Sequence, residues 1–185
     1  SEKVESSDTQ LIRMTNLYMN EFNLNRNPVF YPNHFTETYK KFVLTNGDLI
    51  MSLTGTTGKE DFGYTVQVEK QSNNLLLNQR ITKILIKDSN QLNKSYLLHF
   101  LRSRVFLDKL YSMATGTRQA NISTNKISQI HIPLPTILRQ GEISAEVDYL
   151  ASKSLILKND LSKKLSLLNE LKMSILGKAF IGELI

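Results

Sequence analysis

The chain has 185 residues, is 41% hydrophobic and 8% aromatic, and carries 23 Lys+Arg against 17 Asp+Glu, a net charge of +6. That length allows one domain with a real core plus an appendage. No apolar run approaches the ~18–20 residues that span a bilayer, there is no cysteine for a disulfide or thiolate metal site, and His34, His99 and His131 lack any metal-ligand spacing. The lack of cysteine favours a cytoplasmic home, and the polar, acidic start from Ser1 to Thr9 shows no signal-peptide pattern. The absence of an initial Met suggests a fragment or a processed chain.

In chain order, Gln10 to Met14 and Lys41 to Leu44 carry β-formers. Asn46-Gly47-Asp48 is a turn signal before the apolar strand Leu49 to Leu53. Thr54 to Gly58 is a Thr/Gly loop, Tyr64 to Val68 alternates as a half-buried strand, and Leu75–Leu77 and Ile81–Ile86 are further strands. Asn93 to Met113 is predicted as one helix. Its broad apolar face holds Tyr96, Leu97, Phe100, Leu101, Val105, Leu107 and Leu110, and Lys94, Arg102, Arg104 and Lys109 lie opposite. A polar loop follows from Ala114 to Asn121, and Ile127 to Ile132 is expected to be the last strand.

Pro133 and Pro135 then force extended geometry. Beyond them the pattern is helical, with Thr136 as N-cap candidate. Ile143, Val147, Leu150, Leu157, Leu161, Leu168, Leu171 and Ile175 recur at alternating steps of three and four, a two-position heptad seam interrupted by Ser154 and Lys164. These two polar residues would lower stability and fix register and orientation. A helix over 142–176 reaches ~52 Å, too long to lie on a ~135-residue domain with a radius of gyration near ~14 Å. It is expected to project and pair with another helix. Gly177 is expected to end it, leaving the short apolar tail Phe180-Ile181-Gly182-Glu183-Leu184. The division is therefore 1–135, mixed strands and helices, and 136–185, helix and tail. The positive charge sits mainly in the first part: residues 1–138 hold 16 Lys+Arg against 11 Asp+Glu, and 139–185 hold 7 against 6. Such an excess fits a polyanion partner or simple solubility.

Enzyme motifs fail one by one. Gly55-Thr56-Thr57-Gly58-Lys59-Glu60 has two residues between its glycines where a phosphate loop has four, and Glu60 where a magnesium-binding Ser/Thr belongs. Asn27-Pro28-Val29-Phe30 lacks the second Pro of an adenine-methyltransferase element, and no glycine-rich turn for a methyl donor precedes it. No Gly-x-Ser-x-Gly elbow is present. An interaction role is left as the larger expectation.

Six segments in order carry a resemblance. Gln10 to Leu17, Leu44 to Ser52 with its Gly-Asp, Leu77-Asn78-Gln79-Arg80, Gly116 to Ser123, Ile130 to Pro135 with Gln140, and Ser174 onward through Ala179-Phe180 and Gly182-Glu183-Leu184 together resemble the specificity subunit of type I restriction-modification enzymes. The resemblance implies an α+β fold: a mixed globular target recognition domain followed by a long projecting helix that pairs as a coiled coil. A complete subunit of that family carries two such units in one chain, with antiparallel helices, and each domain reads half of a split DNA target. This chain has one unit and lacks the usual opening stretch, as a fragment or a half-sized subunit that dimerises would. The implied partners are double-stranded DNA, methyltransferase subunits that bind S-adenosylmethionine, motor-nuclease subunits that use ATP, and a second copy or second half-subunit. The chain itself is expected to be non-catalytic, with no cofactor, no metal and no membrane.

For base reading, Arg suits guanine, and Asn or Gln suits adenine. Loops 54–60 and 115–121 supply Thr54, Thr56, Thr57, Lys59, Arg118, Gln119 and Asn121, with Gln79 and Arg80 as lesser candidates. Lys40, Lys41, Arg102 and Arg104 are expected at phosphates, which position without specifying. The competing reading is a coiled-coil adaptor that binds protein or RNA without DNA sequence specificity.

Overall fold

The computed structural model describes residues 2–182, so the Glu183-Leu184 end of the expected tail lies outside the described residues. Its strands are β1 (Thr9–Ile12), β2 (Phe30–Tyr31), β3 (Val43–Leu44), β4 (Leu49–Ser52), β5 (Thr54–Thr56), β6 (Thr65–Gln67), β7 (Asn74–Leu77), β8 (Ile81–Ile84) and β9 (Gln119–Asn121). Its helices are α1 (Phe35–Thr38), α2 (Lys94–Arg102), α3 (Arg104–Met113), α4 (Thr124–Ile127) and α5 (Ile137–Phe180). The strands make three small sheets in the orders β2-β1-β7-β3, β6-β4-β8 and β5-β9. Only β1 and β7 run parallel. This is the α+β fold with a long C-terminal helix. The chain divides into two compact units, Ser1–Gly141 and Glu142–Ile185.

In the first unit β4 is buried on both faces, so its period-two alternation feeds two cores. Leu49 and Met51 join Phe62, Leu97, Phe100, Leu101, Phe106 and Leu110. Ile50 points the other way, to Ile12, Leu17, Leu44, Val66, Leu75 and Ile81. Each such side chain removed from water is worth about 1.5–3 kcal/mol, which is why a four-residue strand can organise the unit.

Several elements differ from expectation, each for a local reason. The first strand stops at Ile12, because the Asn16 side chain accepts the Arg13 N–H at 2.7 Å and starts a 3₁₀ turn over Met14–Asn20. Lys41 lies in a 3₁₀ turn, Lys40–Phe42, that leaves only Val43–Leu44 as strand. The helix expected over 93–113 is two. Ser103 is extended; its hydroxyl donates to Phe100 O at 2.7 Å and accepts from the Phe106 N–H at 3.3 Å, ending α2 and capping α3. The break turns Val105 out, 59% exposed, rather than into the apolar face. Ile127 to Ile132 forms no strand. Ser123 caps α4 there, and Ile127, Ile130 and Ile132 reach the core without a pairing partner. Gly177 does not stop α5, which runs on to Phe180; a helical glycine costs only ~1 kcal/mol against Ala.

Pro133 and Pro135 keep the segment before α5 extended, and Thr136 caps the helix, its hydroxyl accepting from the Arg139 N–H at 3.3 Å. Gln140, in the first turn, is fully buried. Its Oε1 accepts from the Asn93 N–H, and its Nε2 donates to Gln91 O and Pro135 O, all at 2.8 Å. No helix among the described residues is long and apolar enough to cross a membrane.

Candidate nucleic-acid interface

The two polar loops singled out by residue type come together as a ribbon. Leu53 leaves the central strand with its N–H on Arg80 O at 2.9 Å, and its own carbonyl accepts from the Ile122 N–H at 3.0 Å. From that anchor β5 and β9 pair antiparallel, Thr54 opposite Asn121, Gly55 opposite Ala120 and Thr56 opposite Gln119. The pleat puts Thr54, Thr56, Gln119 and Asn121 on one face and Gly55 and Ala120 on the other. Ala120 is buried, whereas Thr56, Gln119 and Asn121 are exposed and Thr54 is half-buried. Four polar side chains are thereby presented together, with none of them needed in the core.

The ribbon tip is fastened at both ends. The Thr57 hydroxyl donates to Gly116 O at 3.1 Å, and Thr115 and Asn121 exchange backbone hydrogen bonds of 2.9 and 2.8 Å. Gly116 sits at φ +130°, and a Cβ there would come within 1.9 Å of Gln119 O. Asp61 clamps the other limb, accepting the Thr56 N–H and the Thr56 hydroxyl, both at 2.7 Å. Burial opposes its ionisation, but those hydrogen bonds and the nearby Lys59 charge outweigh it and hold the carboxyl below its ordinary value. A Cβ on Gly55 would meet Asp61 Oδ1 at 2.3 Å, so the clamp requires glycine. Below the loop, Arg104 pairs with Glu60 and Asp108. Hydrogen bonding from Arg104 holds the Glu60 carboxyl below its usual value, and Arg104 is in turn pushed above its own. Tyr111 donates to Phe62 O at 3.1 Å, and its phenol is raised to about 12, first by burial and then by the Glu60 charge.

A cleft of about 360 Å³ opens beside the ribbon. Arg118 and Gln119 line it from one side and Met14, Thr15, Tyr18 and Tyr64 from the other. Arg118 is exposed and makes no ion pair with any described residue. Lys59 is exposed at the turn after β5.

The remaining expected contacts lie elsewhere. Arg102 donates its Nε to Thr65 O at 2.9 Å and an Nη to Asn20 O at 3.3 Å, so its guanidinium braces the backbone. Gln79 lines a separate apolar groove with Tyr31, Phe35, Tyr39 and Phe42, next to the turn that carries Lys40 and Lys41. Arg80 is exposed in the turn after β7. Met14, Thr15, Tyr18 and Tyr64 were not among the expected site residues. No turn-forming glycine flags the 14–20 segment, whose left-handed positions are Met19 and Asn20.

In the second unit every residue from 145 to 182 is exposed. Of the seam, Val147, Leu150, Leu157, Leu161, Leu168, Leu171 and Ile175 all rank as exposed large hydrophobics, and Leu168 reaches 62%. Leu155, Ile156, Leu165 and Leu167 widen the apolar surface. An apolar stripe of this length in water is the mark of a helix built to be covered.

A small mixed domain with an exposed polar ribbon, continued by a long apolar-striped helix, has the architecture of a recognition module on a helical spacer. The family model for the type I restriction modification DNA specificity domain matches residues 6–167, and the chain belongs to that family. The Methanocaldococcus jannaschii type I restriction enzyme MjaVIII specificity subunit is 29% identical over 113 residues, covering 60% of this chain and 26% of that protein. The Escherichia coli EcoDI specificity subunit is 27% identical over 96 residues, covering 52% and 22%. The chain thus matches about a quarter of the length of these relatives. A chain from solved work on complex assembly and conformational transition of the type I R-M system superposes with a TM-score of 0.61 over 77% of this chain and 33% of its own, at 24% identity, a likeness of fold.

Proposed function

We propose that this chain is the DNA-reading half of a type I specificity assembly. It reads one half of a split duplex target, carries out no chemistry, and docks methyltransferase subunits, which bind S-adenosylmethionine, and ATP-using motor-nuclease subunits. The observation that carries the reading is the ribbon face: Thr54, Thr56, Gln119 and Asn121 side by side, with Arg118 at the adjoining cleft. A two-stranded β-ribbon fits the major groove, where each base pair shows its own pattern of donors and acceptors. Lys59, Lys40 and Lys41 serve as phosphate contacts, which set position.

The second half-site is supplied through α5. Ser154 and Lys164 lie five residues either side of Asn159. In an antiparallel pair centred there, Ser154 of one copy faces Lys164 of the other, and the Nζ donates to the hydroxyl. Every other layer joins two apolar residues: Ile143 with Ile175, Val147 with Leu171, Leu150 with Leu168, Leu157 with Leu161. A parallel pair would stack Lys164 on Lys164 inside the seam, about 4 kcal/mol of repulsion at close approach for an effective dielectric of ~20. The same register sets Lys158 of one copy opposite Asp160 of the other at the solvated flank, a pair of opposite charges worth ~0–1 kcal/mol. The seam from Ile143 to Ile175 covers ~48 Å, so the half-sites are inverted and centred about one to one and a half DNA turns apart.

Single-molecule methylation mapping, in cells carrying the cognate methyltransferase subunit with and without this chain, tests the proposal. A methylated, inverted split motif that appears only with the chain is the expected result. Chain-dependent binding of RNA or protein without any such motif would instead establish the coiled-coil adaptor.

A further inference from the structure

The turn opposite the ribbon presents an apolar side chain in an expensive conformation. Met19 has φ 57° and ψ 30°, and Asn20 follows at φ 61°. The left-handed region costs an ordinary L-residue roughly 1–2 kcal/mol; Asn tolerates it and Met does not. The conformation is nevertheless enforced from several directions. Asn20 Oδ1 accepts the Thr65 N–H at 2.8 Å, and Arg102 donates to Asn20 O at 3.3 Å. An Arg26 Nη donates to Tyr18 O at 2.9 Å. The fully buried Asn16 donates to Asn23 O and Arg26 O at 2.8 and 3.0 Å. The Tyr18 ring meets Tyr64 edge-on at 5.4 Å. The product of all this bracing is a tip pointing into water, with Met19 66% and Tyr18 48% exposed. Strain held at Met19 by the surrounding structure, although its side chain is largely exposed, points to a functional segment. Tyr18 lines the same cleft as Thr54, Thr56, Arg118 and Gln119.

We propose that Tyr18 and Met19 form a second reading element, which recognises thymine by apolar contact with its 5-methyl group in the major groove. The inference rests on the duplex-reading function proposed above. Hydrogen-bonding groups on the ribbon distinguish base edges by donors and acceptors. The thymine methyl is the one apolar feature of that groove, and reading it takes an exposed apolar side chain held at fixed height. Duplex DNA is favoured over a protein partner because the cleft that Tyr18 lines also presents the exposed Arg118 and Gln119, a cation for phosphate or guanine and an amide for a base edge.

The experiment replaces each thymine of the mapped half-site in turn by deoxyuridine, which removes the methyl and leaves every hydrogen-bonding group in place. Binding is measured by the full-length chain and by its Met19→Gly and Tyr18→Ala variants. The wild-type chain is expected to lose about three- to fivefold in affinity at one or two positions, the share of one buried methyl. Met19→Gly is expected to erase that discrimination while unfolding at the same temperature or higher, because glycine relieves the left-handed strain. Equal affinity for thymine and deoxyuridine at every position, with specific binding otherwise intact, overturns this inference and leaves the reading function standing. A Met19→Gly variant that retains the discrimination also overturns it. Loss of all specific duplex binding by the wild-type chain overturns both.

Discussion

Replacing Gln140 with Leu keeps nearly the same volume and removes one carboxamide from a site with no solvent access. Three backbone groups lose their partner: the N–H of Asn93, which caps α2, and the carbonyls of Gln91 and Pro135. A polar group left buried and unsatisfied costs about 1–3 kcal/mol. Gln91 is exposed and Pro135 half-buried, so water can recover part of that for the two carbonyls. The net loss is then about 2–4 kcal/mol, a large fraction of a typical domain stability of ~5–15 kcal/mol. Gln140→Glu should be worse, since the carboxylate still accepts from Asn93 but turns an oxygen toward the two carbonyls. The assay is urea unfolding followed by tyrosine fluorescence. The chain has no tryptophan and 7 tyrosines, whereas far-ultraviolet dichroism would be dominated by the 44-residue α5. With a urea dependence of ~1–3 kcal/mol per molar, the midpoint should fall by about 1 M or more. A Gln140→Leu chain within ~0.5 kcal/mol of the parent would refute the reasoning, because it would mean these three bonds are replaced at no cost.

Gly116→Ala should leave the unfolding midpoint of the cores little changed and abolish sequence-selective binding, since its Cβ would fall 1.9 Å from Gln119 O and force the ribbon tip apart; competition between specific and random duplexes measures it. Asp61 has a folded-state pKa below its ordinary value, so its contribution to stability is complete above the ordinary carboxylate range and is lost as pH falls through the depressed pKa. Acid unfolding curves of the wild type should therefore be steeper than those of Asp61→Asn below about pH 4. Arg118→Ala should relax base preference at one position if the guanidinium reads a base, whereas a phosphate contact would lower the salt slope by about 1 for all sequences; either change exceeds that of Arg102→Lys, whose partners are protein carbonyls. The chain lacks cysteine, so Ser154→Cys and Lys164→Cys chains should cross-link when mixed and not when oxidised separately; self-linking of either variant alone would indicate a parallel seam.

The long helix was legible because a seam repeating over many turns leaves no other physical solution, and its start was marked by Pro135 and Thr136. The residue types of the two polar loops were legible too, but not their union. Thr54 and Asn121 are far apart in sequence and pair only because Leu53 and Ile122 are joined beneath them. Local periodicity cannot report a contact of that range. Ser103 was invisible as a break because serine is tolerated inside helices, and only its double hydrogen bonding to Phe100 O and the Phe106 N–H makes it a boundary. Arg102 was expected at a phosphate; its guanidinium instead meets the Asn20 and Thr65 carbonyls, which are distant in sequence and which no local pattern could place beside it. The Tyr18–Met19 tip gave no signal at all, because its left-handed turn is enforced by tertiary hydrogen bonds rather than by glycine.

The proposed reading function would combine two duties that fall on different residues. Fixed geometry comes from residues with inward obligations: Gly55 under the Asp61 clamp, Gly116 at the tip, Ala120 in the core, and Asn16, Asn20 and Arg102 behind the turn. The groups turned outward, at positions 118, 119 and 121 and at Met19, are exposed, whereas Thr56, also exposed, gives its hydroxyl to the Asp61 clamp. Exchanging an exposed side chain away from caps and clamps shifts stability by only about ±0.5 kcal/mol, while a bidentate base contact changes discrimination by ~1–3 kcal/mol. If these groups read bases as proposed, the target could therefore change by substitutions that the fold barely registers. On the proposed reading, half-site spacing would be set through α5 and half-site sequence through β5, β9 and the Met19 turn, and because the helix seam shares no residue with the ribbon the two could vary independently.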